Sequence, residues 1–188
     1  MGRRMRRIKS LLCLGVVVAP LLMLSACTFK SVTPEVMEAP PQKVTMLAVG
    51  EIVSQDRLWE YLVPHFRRGL TEKLAELKAF EAVLDPAPTP LPPQAALFSG
   101  VITEVEKGST ALRWIVGFGA GKAHVDGRFA IRDPSAKDLA TLTARESYLG
   151  GAGIGGAGLL DMEDLMRRFG ATMGDRIARW FRGEKIED

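Results

Sequence analysis

The chain has 188 residues, 47% of them hydrophobic and 25% charged, with 25 Lys and Arg against 22 Asp and Glu. Five of the cations, Arg3, Arg4, Arg6, Arg7 and Lys9, fall within the first 26 residues, which leaves 20 against 22 and a net charge of −2 downstream. The basic total is thus no sign of a nucleic-acid partner, and with only two cysteines and two histidines neither a disulfide scaffold nor the usual His and Cys metal set is expected.

Residues 1–26 have the three parts of a secretory signal: the basic start, an apolar middle from Leu11 to Met23, and a small-residue end. A membrane-crossing helix needs about 20 apolar residues, and this run is shorter, with Pro20 near its end. Leu24, Ser25, Ala26 and Cys27 resemble a lipobox. That resemblance implies a bacterial lipoprotein precursor, cleaved before Cys27, with a diacylglyceryl group on the Cys27 sulfur and no cofactor beyond that covalent lipid. The competing reading is an uncleaved amino-terminal anchor, and both attach the protein to a membrane. Two or more acyl chains suffice for stable residence, at about 0.8 kcal/mol per buried methylene. By the sorting rule of Gram-negative lipoproteins, Thr28 in place of an aspartate favours the outer membrane, facing the periplasm.

Cys13 leaves with the signal and Cys27 is consumed by lipid, so the mature chain has no thiol pair. Its 162 residues suffice for one core of ordinary size. Residues 27–43, with Pro34, Pro40 and Pro41 and little apolar periodicity, read as a lipidated tether. Stretched at ~3.3 Å per residue, it would reach about 50 Å from the membrane. Residues 44–183 are expected to form a single α/β domain, and 184–188 a tail.

Val44 to Val49 predicts a buried strand ending at Gly50. Trp59, Leu62, Val63, Phe66, Leu70, Leu74 and Leu77 recur at helical spacing. Pro64 sits among them, so the helix either kinks there or starts near Val63 with proline in its first turn. We favour a short helical turn from about Arg57 and a main helix from Pro64 to Ala79. Phe80 to Leu84 suits a short strand, and Asp85 to Pro93, with five prolines, a loop. Leu97 to Glu106 is apolar on both faces, as in a strand covered on two sides. Ala123 to Asp133 alternates, with Ala123, Val125, Phe129 and Ile131 on one face and His124, Asp126, Arg128 and Arg132 on the other. A turn at Asp133, Pro134 and Ser135 leads to Leu139 to Tyr148, which completes an antiparallel hairpin. The last helix is capped by Asp161 and carries the stripe Met162, Leu165, Met166, Phe169, Met173, Ile177, Trp180 and Phe181, with Gly183 beyond it. The sum is an α/β (α+β) fold: a small mixed or antiparallel sheet packed by two amphipathic helices.

Two uncharged glycine-rich segments flank the hairpin, 114–121 and 149–160. Trp114, Phe118, Gly119 and Gly121 in the first, and Gly151, Gly153, Ile154, Gly155, Gly156 and Gly158 in the second, are the candidate contacts with a partner or membrane, since exposed apolar segments of this kind mark interaction surfaces. The second also holds Gly-x-Gly-x-x-Gly twice, between a strand and a helix, which is the formal setting of a dinucleotide site. A Rossmann unit requires a further parallel strand, and here the helix closes the fold. A flexible loop remains the plain alternative for both segments. No Gly-x-Ser-x-Gly elbow is present. Glu104 and Glu106 share a strand face as possible paired acids, and His124 on the polar strand face is expected to be solvated.

The glycine-rich stretch, the alternating strand ending in Asp133, the second strand, the Gly-rich loop and the closing helix resemble domain-of-unknown-function family 4410, bacterial lipoproteins without an assigned activity. The resemblance spans Val44 to Arg182 and is strongest over Gly117 to Gly158. Where members often carry Thr-Gly after the Asp, this chain has Ser135, Ala136 and Lys137. More remotely the arrangement is similar to envelope domains of curli-secretion lipoproteins and of the Tol-system propeller protein. These likenesses imply a non-enzymatic module that binds another envelope protein or a second copy of itself. The alternative is a nucleotide-binding or enzymatic domain using Gly151 to Gly158.

Overall fold

The computed structural model describes residues 29–40, 43–108, 123–148 and 161–184. Six strands form one mixed sheet: β1 Phe29–Met37, β2 Met46–Ser54, β3 Ala82–Leu84, β4 Ala95–Glu106, β5 Ala123–Arg132 and β6 Asp138–Tyr148, in the order β1-β6-β5-β4-β2-β3. Two helices, α1 Val63–Leu77 and α2 Met162–Phe181, pack against it. The expected mixed sheet with two amphipathic helices is what forms.

Pro64 lies in the first turn of α1, where its missing N–H costs nothing. A 3-10 turn, Arg57–Leu62, precedes it. Asp161 caps α2, its carboxylate accepting from the Glu163 and Asp164 amides at 2.9 and 3.3 Å. The apolar stripe of α2 is buried from Met162 to Trp180, and the Phe181 ring packs tilted against Phe80 with centroids 4.3 Å apart.

The core centres on Phe129. Its ring stacks on Phe66 and Phe98, with centroids at 5.2 and 5.4 Å, and Phe169 leans against it at 5.8 Å. The ring lies over glycine on two strands: a Cβ on Gly127 would come within 2.6 Å of it, and one on Gly100 would overlap it. The helices run parallel and in close contact through glycine. Gly69 lies against the Arg167 carbonyl, Gly170 against the Phe66 carbonyl and Gly174 against the Leu70 carbonyl.

Three expectations are corrected. Residues 29–37, expected within the tether, form edge strand β1, antiparallel to β6 from Phe29 opposite Ser147 to Met37 opposite Ala140. Three further bonds tie its end down. The Glu38 amide donates to the Leu139 carbonyl at 2.9 Å, Trp180 Nε1 to the Glu38 carbonyl at 2.7 Å, and Lys137 Nζ to the Glu38 carboxylate at 2.6 Å. Pairing with a free β6 edge outweighs the proline signal, and Pro34 is accommodated at an irregularity in the register. Gly50 does not end its strand: β2 continues to Ser54 past a register shift between Val49 and Ile52, so glycine marks a bulge. The two-sided cover expected of β4 holds only at its start, where Ala95, Ala96 and Phe98 are buried. Further along, Val101 is exposed beside Arg128 on a face that the helices leave open.

Candidate functional site

Strand direction gathers the features of interest at one end of the sheet. β1 starts there, since Phe29 pairs with Ser147 near the end of β6. β5 starts there, since Ala123 pairs with Tyr148, and β4 finishes there, since Glu106 pairs with His124. Parallel pairing with β4 brings the end of β2 to the same place, with Ser54 opposite Ile102. Cys27 precedes Phe29 by two residues, a chain distance of at most ~7 Å. The segment 109–122 joins β4 to β5 at this end, and 149–160 leaves β6 for α2 at this end.

Leu24, Ser25, Ala26 and Cys27 lie outside the described residues, as do Trp114, Phe118, Gly119, Gly121, Gly151, Gly153, Ile154, Gly155, Gly156 and Gly158. Their flanking residues place the points from which both glycine-rich segments depart. The loop with two Gly-x-Gly-x-x-Gly matches follows β6, whose neighbours β1 and β5 are both antiparallel to it. A dinucleotide fold binds at the carboxyl ends of parallel strands, so the strand context of that motif is missing.

A polar group sits beside these departures on the sheet face away from the helices. His124 Nε2 lies 3.6 Å from Glu104 and Nδ1 3.4 Å from Glu106, so the two carboxylates expected on one face bracket the imidazole. Its side chain is only 16% exposed, which corrects the expectation of a solvated histidine. Cross-strand pairing of β4 with β5 is the cause, because it sets both glutamates beside His124. Asp126 could join Glu104 and His124 about an ion, their ligand atoms lying within 4.8 Å of one another. Both its oxygens accept from Arg145, however, Nε at 2.6 Å. That hydrogen bond, more than the neighbouring charges, raises the guanidinium above its ordinary value. Asp126 is thereby committed to a bidentate ion pair. The pair escaped sequence reading because Asp126 and Arg145 come together only through the β5–β6 register.

A hollow of about 530 Å³ lies at the opposite edge, between the β2 bulge and the proline-rich loop, lined in part by Gly50, Glu51, Arg67, Pro86, Pro88 and Leu97. Arg67 is spent on structure there. It donates to the Gly50 carbonyl at 2.7 Å and the Val49 carbonyl at 3.2 Å, and pairs with Asp85. Besides Arg67, the polar side chains lining the hollow are those of Glu51 and Thr89, and the rest of its wall is glycine, proline and aliphatic residues. Among the described residues no helix is long and apolar enough to cross a membrane.

No curated protein matches the chain in sequence. Among solved structures it is similar to the PelC dodecamer from Paraburkholderia phytofirmans, with 13% identity, a TM-score of 0.48, and coverage of 77% of this chain and 94% of that one. It is also similar to rare lipoprotein B from Shewanella oneidensis, at 16% identity, a TM-score of 0.37, and coverage of 73% and 94%. A family model described as a domain of unknown function, DUF4410, matches residues 40–152, which is more than half of the chain and ends within the second glycine-rich segment. By that match the protein belongs to the DUF4410 family.

Proposed function

We propose that the protein is a lipid-anchored, non-enzymatic α/β module of the cell envelope, held through Cys27 on the periplasmic side of the outer membrane. In this reading its glycine-rich segments 114–121 and 149–160 bind another envelope protein or a second copy of the chain. The observation that carries the reading is the convergence at one end of the sheet of Phe29, two residues from Cys27, with Ala123 and Tyr148, which border the two segments. A protein anchored at that end offers both segments where envelope components meet the membrane surface. The non-enzymatic part is supported by the commitment of Asp126 to Arg145 and of Arg67 to Asp85 and the β2 carbonyls.

The test is a photocrosslinker at Ile154 in cells, with the same probe at Glu81 on the far end of the sheet as control. Discrete adducts at Ile154, absent at Glu81 and lost in Cys27→Ser, are the expected outcome. Saturable micromolar nucleotide binding, abolished by replacing Gly153 and Gly156, overturns the proposal in favour of an enzymatic or nucleotide-binding domain.

A further inference from the structure

The two most exposed large hydrophobic side chains among the described residues belong to one turn: Leu58 is 67% exposed and Tyr61 54%. That 3-10 turn, Arg57–Leu62, follows directly from the end of β2, so it stands at the end of the sheet where β1 begins. We propose that the turn is a membrane contact, with Leu58 and Tyr61 entering the lipid interface at the anchored end of the sheet, where three strands separate β2 from β1. This rests on the Cys27 reading and adds to it a fixed orientation of the domain.

The geometry of the turn fits that occupant. Its two acids are used inside it: Asp56 accepts from the Leu58 amide at 2.9 Å, and Glu60 from the Ser54 amide at 2.8 Å. Both carboxylates thus hold the turn in shape. Lys107 places its ammonium 5.1 Å from the centroid of the Trp59 ring, and Trp59 lies 6.3 Å from Tyr61. Arg57 is exposed at the start. An aliphatic tip beside tyrosine, tryptophan and two cations is the composition of an interfacial segment, whose apolar side enters about 5–10 Å into the headgroup and acyl boundary. A lone exposed leucine needs no explanation, but here the exposed pair shares the anchored end. With at most ~7 Å of chain between Cys27 and Phe29, the domain cannot lift that end far from the bilayer.

The mature, lipidated chain in vesicles tests the proposal. Cys27 is blocked by lipid and Cys13 is in the signal, so a cysteine introduced at 58 is the only free thiol. An environment-sensitive fluorophore on Leu58→Cys is expected to emit to the blue and to lose most of its emission to spin-labelled lipids quenching near the headgroups. The same label on Tyr61→Cys should behave alike, whereas on Glu81→Cys it should stay in water. Both sites at the turn are exposed, and circular dichroism checks that each labelled protein is folded. A protein that floats with vesicles while the label at 58 stays in water overturns this inference alone. A blue-shifted label that lipid-borne quenchers do not reach means that protein covers the turn, and overturns it too. A chain that does not float overturns the anchor and the inference together.

Discussion

Asp133 organises the β5–β6 turn with one carboxylate. It accepts from the Ser135 amide at 2.8 Å, the Ser135 hydroxyl at 2.6 Å and the Lys137 amide at 3.0 Å. These bonds, the Ser135 hydroxyl foremost, hold it below the ordinary carboxylate range. They also hold Ala136 at φ 65°, a left-handed conformation that costs a non-glycine residue energy. Because the folded value is depressed, the stabilisation is full above the unfolded value of about 3.9 and is lost as pH falls through the folded value. Carboxyl NMR should find Asp133 titrating below that reference, and Ser135→Ala should move its midpoint upward. A wild-type midpoint at or above the reference refutes this account. That a turn forms at Asp133, Pro134 and Ser135 was legible from residue types. That Ala136 takes the left-handed position was not, since alanine gives no signal for it.

At the scale of elements, the helices depend on glycines that weaken them individually. Glycine inside a helix costs about 1 kcal/mol relative to alanine, so Gly170→Ala would stabilise an isolated α2. In the folded protein a Cβ there overlaps the Phe66 carbonyl, while one on Gly174 meets the Leu70 carbonyl at 3.0 Å. The first needs the helices to move apart and the second only a small adjustment. Overpacking of this kind costs about 1–3 kcal/mol and sometimes more. Gly170→Ala should therefore lower stability by at least ~2 kcal/mol in urea denaturation, and Gly174→Ala by less than half as much. Equal effects would mean that the helix contact yields freely. The apolar stripes were readable from 3.6-residue spacing, whereas the glycine contact depends on which stretch of α1 faces α2. Sequence reading weighed the glycines of 114–121 and 149–160 and passed over Gly69, Gly170 and Gly174.

For the whole molecule, β1 changes how the domain meets its surroundings. A tether of up to about 50 Å would let the domain wander, whereas a strand starting at Phe29 puts the sheet next to Cys27. β1 also covers the edge of β6, with Val32 buried beneath it. Deleting residues 29–38 should uncover that edge, a template for pairing with other chains. It also removes one buried valine, worth roughly 1.5–3 kcal/mol, and the bonds of Glu38. At about 2–4 °C per kcal/mol for a chain of this size, the melting temperature should fall by roughly 10 °C. Light scattering should show association. A monodisperse deletion protein with an unchanged melt would show that β1 is dispensable.

The residues alone determined the class of fold, the strand–helix order from β2 onward, the start of α1 at Pro64, the Asp161 cap and the Asp133 turn, because each is set by neighbours within a few positions. They also carried the family, through the pattern of strands and glycines. Tertiary structure alone decided that residues 29–37 join the sheet, that His124 is bracketed by two glutamates, that Asp126 belongs to Arg145, and that β1, β5 and the turn at Leu58 share one end. The physical reason is that each of these depends on strand register or strand direction, which is settled only when the whole sheet has found the face it buries.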